Sequence, residues 1–204
     1  MHSDEHLPTI FCWTRFGTEA GETIDSILER KEHEREQTGG VYLWGIGNSV
    51  ARGVTELLRR TGSPEVLFSP IKSRPRTVDV RPPAVVRWRG GVTLSGAQIT
   101  LPKTVRVMSG QSKAAHYALV CASDEPLHFH DLGRLEFDAL RNLASGNPLG
   151  SSQVTAVVER LRDRDDGREY VVALRSRLVA PYFVRLVDPV VEKLEASAEP
   201  ARAA

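Results

Sequence analysis

The chain has 204 residues, 41% of them hydrophobic and 26% charged, with a formal net charge of +1 at pH 7. That length and apolar content supply one substantial core, and the charged fraction is ordinary for a folded domain. No run approaches the roughly 18 apolar residues of a membrane span, and the opening MHSDEHLPTIF carries acids where a signal peptide carries Lys or Arg, so the sequence predicts a cytoplasmic protein with no membrane partner.

Residues 7–13, LPTIFCW, read as a first strand. Residues 22–37 carry apolar side chains only at Ile24, Ile27 and Leu28, which predicts a mostly solvated helix with one narrow stripe, stopped by Gly39-Gly40. GVYLWGIG follows as a buried strand. Asn48 or Ser49 then caps a helix in which Val50, Val54, Leu57 and Leu58 recur at helical spacing, and Gly62-Ser63-Pro64 ends it before the strand VLFSPI. SRPRTVDVRPP is too rich in proline for a central strand, and VVRWRG, VTLSGAQITL and TVRVMSG then alternate as short strands. HYALVCA, residues 116–122, is another apolar strand, and residues 133–144, GRLEFDALRNLA, predict a short helix. VTAVVERL and REYVVALRSRLV flank a turn at Asp163 to Gly167 that predicts a hairpin. The sum is one α+β domain over residues 7–193, with a mixed or closed sheet, two to four flanking helices and a disordered tail over 194–204. Cys12 and Cys121 lie in apolar strands and are expected to be buried free thiols.

The charge is unevenly spread. Residues 51–113 hold twelve Lys/Arg against three Asp/Glu, whereas residues 1–50 hold four against nine and residues 114–204 eleven against fourteen. A basic middle flanked by acidic ends points to one anion-facing surface. At the start of that region, Tyr42 to Ser73 brings together an aromatic plate (Trp44), a glycine turn, a helix start and basic side chains. Such a group suits binding of a planar base attached to a phosphate backbone.

Trp44-Gly45-Ile46-Gly47-Asn48, followed by Ala51-Arg52 on a helix, resembles the tryptophan-glycine, asparagine and alanine-arginine stretch of EVE domains. Val66-Leu67-Phe68-Ser69-Pro70-Ile71-Lys72-Ser73 resembles the phenylalanine-serine strand that follows the corresponding helix in YTH domains. Both families belong to the PUA-like superfamily of small β-barrels flanked by helices. The resemblance covers about thirty residues and implies a PUA-like β-barrel that binds RNA or DNA and holds a modified or flipped base in an aromatic pocket. The first strand departs from the EVE pattern, with Arg15 where those domains carry a lysine and then a proline.

The site expected from this reading has Trp44 stacking on the base, Asn48 and Ser69 at its edge, and Arg52, Lys72, Arg74 and Arg76, with Ser73 beside them, along the backbone. Trp13 and Trp88 complete a candidate pocket on chemistry alone, although Trp88 alternates with arginines and so belongs to an apolar face. This reading calls for no catalytic group, cofactor or metal. The competing reading is an enzyme acting on nucleic acid or a nucleotide. It would use Glu19 and Glu22 as acid and base, or His128 and His130 as metal ligands sharing one face of a strand. His116 is the only other imidazole nearby, and without an HExxH or CxxC companion the metal site has little support.

Overall fold

The fold is taken from a computed structural model. It describes residues 7–17, 23–46, 48–71, 84–87, 91–94, 97–100, 105–107, 116–161, 167–186 and 190–193. In chain order the elements are β1 (Ile10–Phe16), α1 (Ile24–Gln37), β2 (Val41–Ile46), α2 (Asn48–Arg60), β3 (Glu65–Pro70), β4 (Ala84–Arg87), β5 (Gly91–Leu94), β6 (Ala97–Thr100), β7 (Val105–Val107), β8 (His116–Ala122), β9 (Arg134–Glu136), β10 (Leu140–Asn142), β11 (Thr155–Arg160), β12 (Glu169–Val171), β13 (Leu174–Leu186) and β14 (Val190–Lys193).

Seven strands form one mixed sheet in the order β10-β11-β1-β3-β13-β8-β2. Only β1 and β3 run parallel, with Cys12 opposite Val66 and Phe16 opposite Pro70. The other neighbours are antiparallel. The sheet therefore has two edges, β10 and β2, and is open rather than a closed barrel. It nevertheless curls. Trp44 on β2 and Phe68 on β3 are three strand positions apart, about 14 Å in a flat sheet, yet their ring centroids are 4.8 Å apart. The register of β13 against β8 shifts between Leu178 and Phe183, the kind of irregularity that bends a strand.

Period-two alternation divides the side chains between two cores. Cys12, Phe16, Tyr42, Val66, Phe68 and Cys121 face one side, where Ile27 and Leu28 of α1 and Val50, Val54 and Leu57 of α2 cover them. Phe11, Trp13, Leu67 and Val158 face the other, beneath Leu135 and Phe137. Gly53 lets α2 lie directly on β11, since a Cβ there would stand 2.8 Å from Val157 Cβ. α1 ends where Gly39 and Gly40 take φ of 72° and 110°.

Two sequence expectations are corrected. Residues 133–144 form β9, a single 3-10 turn over Phe137–Ala139 and β10, not a helix. Leu135 and Phe137 instead join the second core while β9 pairs with β12. β11 and β12 do not pair across the Asp163–Gly167 turn either. β11 lies between β10 and β1, and β12 lies on β9, because burying the apolar β11 between two strands covers more surface than a two-stranded ribbon.

The loop after β8 is tied to α1 by one carboxylate. Glu32 accepts from Arg35 Nε at 2.8 Å and Nη2 at 2.7 Å, and from the Leu127 amide at 2.8 Å. Among the described residues no helix is long and apolar enough to cross a membrane. Both cysteines are buried and free.

Candidate nucleic-acid interface

Three strand ends meet around Trp44. Its ring packs edge-on against Phe68 (4.8 Å, 74°) and Phe16 (6.0 Å, 85°), and it is partly buried rather than sealed in the core. The amide of Ile71 donates to Phe16 O at 2.6 Å, and a Cβ on Gly17 would meet Ile71 Cβ at 3.1 Å, so the ends of β1 and β3 stay in close contact. Ile71, the last described residue before Lys72 in sequence, therefore lies beside Phe16, and α2 begins at Asn48, two residues after β2 ends. Edge-on aromatic contacts of this kind fix a ring's plane, each worth about 0.5–1.5 kcal/mol beyond burial.

β2 is a sheet edge, and side chains of α1 and the turn after it occupy most of that edge. Val41 N donates to Thr38 Oγ1 at 3.2 Å, and the same hydroxyl reaches Val41 O. Lys31 Nζ donates to Leu43 O and to the Glu34 carboxylate at 2.7 and 2.9 Å. Lys31 and Glu34 are both buried; burial pulls the ammonium pKa down and the Glu34 charge opposes the shift. In an antiparallel pair, alternate residues turn both backbone groups to the same side. Val41 and Leu43 face outward, so Gly45 does too, and Tyr42, Trp44 and Ile46 face β8. Gly45 is exposed, and the alternation turns its N–H and C=O away from β8. A donor–acceptor pair turned out of the sheet, with β2 at its edge among the described residues, thus stands one residue from the indole. Sequence reading took Gly45 only as a turn residue. Its role depends on β2 being an edge, a fact set by pairing with residues 116–122.

Other expected site residues are distributed differently. Ser69 is fully buried, and its Oγ accepts from Trp13 Nε1 at 2.9 Å, so it is not a base-edge contact. Trp13 is fully buried as well, packed against Phe137 and Tyr170 in the second core, on the opposite sheet face from Trp44. Alternation explains both: Phe68 and Ser69 are consecutive, so only one can face Trp44. The backbones of Asn48 and Arg52 lie in the first turns of α2. Glu19, Glu22, Lys72, Ser73, Arg74, Arg76 and Trp88 lie outside the described residues, as does the 194–204 tail.

His128 and His130 are exposed in the loop between β8 and β9, not on a strand, so the shared-face argument for a metal pair no longer holds. No three His, Cys, Asp or Glu side chains gather as a metal site among the described residues. His130 borders a cleft of about 300 Å³ between that loop and the start of β13. Its two arginines are already paired, Arg175 with Glu65 at 3.0 Å and Arg177 with Asp124 at 2.9 Å.

Comparison of the chain with protein-family models, with curated proteins and with solved structures finds no match.

Proposed function

We propose that the chain is a nucleic-acid-binding domain of PUA-like architecture that holds one flipped or modified base against Trp44. The observation that carries this reading is the pairing of a partly exposed indole, held by T-shaped contacts to Phe16 and Phe68, with the outward-facing backbone groups of Gly45. The base stacks on the indole for about 1–3 kcal/mol. Its edge exchanges hydrogen bonds with Gly45 N–H and C=O, taking over the role first assigned to Ser69. The phosphates on either side meet the basic run Lys72, Arg74 and Arg76 and, on α2, Arg52, each neutralised phosphate adding about one unit to the salt dependence.

Titration of fluorescent single-stranded RNA and DNA at two salt concentrations tests the proposal. Wild type binds at low salt and weakens as salt rises, and Trp44→Ala loses roughly five- to 150-fold in affinity, the equivalent of one stacked base. Absence of binding to either oligonucleotide at low salt overturns the proposal. Binding that Trp44→Ala leaves intact removes the base pocket and leaves only a basic surface.

A further inference from the structure

Arg15 lies on the face of β1 that carries Trp13, opposite Phe16 and Trp44. Its guanidinium is held on two sides. Nη1 donates to Ser151 O at 3.1 Å and to Gln153 O at 3.3 Å. The Cζ atom stands 5.0 Å over the Tyr170 ring, which in turn packs edge-on against Trp13 at 5.4 Å. The backbone is pinned too, with Arg15 N donating to Val154 O at 2.8 Å.

What remains is the other edge of the fork. Nε is buried and has no hydrogen-bond partner, and Nη2 beside it bonds to no described residue. No carboxylate among the described residues pairs with this side chain. A buried donor on a charged group that lacks an acceptor costs free energy, and an acceptor supplied by water, an ion or a ligand recovers it. The Nε–Nη2 edge has the spacing of two oxygens of one phosphoryl or carboxylate group, and its orientation is already fixed by Nη1 and Tyr170.

We infer that the Nε–Nη2 edge of Arg15 is an oxyanion-binding position that takes a phosphoryl group bidentately. The phosphoryl group comes either from free phosphate or from a phosphodiester, and it lies on the sheet face away from Trp44.

The test follows the Nε–Hε resonance of Arg15 by 15N NMR, assigned by its loss in Arg15→Lys. Three titrations are compared: inorganic phosphate, a single-stranded oligonucleotide, and chloride at matched ionic strength. The inference expects a saturable downfield shift with phosphate or oligonucleotide and no comparable shift with chloride. Response to phosphate identifies a free oxyanion as sufficient; response to the oligonucleotide alone identifies the phosphodiester. Arg15→Lys keeps the charge but loses the fork, and weakens phosphate affinity about tenfold or more, read in that variant from the backbone amides of the Ser151–Gln153 loop that Nη1 contacts in wild type. Trp44→Ala leaves the Arg15 shift with phosphate unchanged, so failure of the base pocket is read separately. No shift with either phosphate or oligonucleotide, or an equal shift with chloride, overturns the inference in wild type, whatever the folding of the variants.

Discussion

Glu32→Gln is expected to remove one acid-sensitive part of this fold's stability. The carboxylate takes both arms of Arg35 and the amide of Leu127, and the Arg35 hydrogen bonds hold its pKa down to about 2 from an ordinary 4.5. A depression of that size corresponds to a few kcal/mol, on the order of 3 at most, because one unit is about 1.4 kcal/mol. The side chain is only 18% exposed, so solvent screening takes a small share. The folded pKa lies below the unfolded one. The contribution is therefore complete above about pH 5 and is lost as pH falls through 4.5 toward 2. Urea denaturation at pH 7 and at pH 2.5 measures it. Glu32→Gln costs about 2–3 kcal/mol at pH 7 and much less at pH 2.5, where wild type has lost most of the same interaction. Amide exchange at Leu127 accelerates in the variant. An equal penalty at both pH values, or a Glu32 carboxyl titrating near 4.5 by 13C NMR, refutes the reasoning.

Three further outcomes follow from the packing. Gly53→Ala forces a Cβ to within 2.8 Å of Val157 Cβ and is expected to cost about 1–3 kcal/mol net, recovered in part by Val157→Ala, as thermal unfolding of the single and double variants will show. Gly45→Pro removes only an outward N–H from the edge strand, so far-UV circular dichroism stays native while oligonucleotide affinity drops about tenfold; unchanged affinity excludes this amide as a base contact. Burial pushes the Cys12 thiol up to about 12 and the Cys121 thiol higher than its ordinary range. Both should resist a thiol reagent in the native state and react in step with unfolding across a urea series.

The first half of the fold was legible because its patterns are local. Val50, Val54 and Leu57 recur at helical spacing and are all buried, and the runs of β1, β2, β3 and β8 are continuous and apolar. Residues 133–144 misled because Leu135, Ala139, Leu140 and Leu143 fall on one helical stripe, although the same residues also serve two short strands around a turn and Phe137 lies off that stripe. Only the presence of β11 and β12 as partners decides between them. At the candidate site, the motif around Trp44 was readable, whereas the direction of its ring was not: it is partly buried and packs against Phe16 and Phe68. That Trp13 and Ser69 satisfy each other beneath the opposite face was not, since they are 56 residues apart and their pairing needs the β1–β3 register. The edge position of Gly45 was not legible for the same reason: edge status belongs to a sheet, and a strand's own residues do not carry it.

The parallel pair at the centre of the sheet also sets a timetable for synthesis. β1 and β3 are complete once the ribosome has passed Pro70, but β11, which covers the other side of β1, begins only at Thr155, and β13, which covers β3, only at Leu174. At about 5–20 residues per second, the nascent chain carries both apolar strands with an unpaired flank for roughly 4–17 s before β11 is made. In that interval the unpaired flanks of β1 and β3 are open to chaperones and to mispairing.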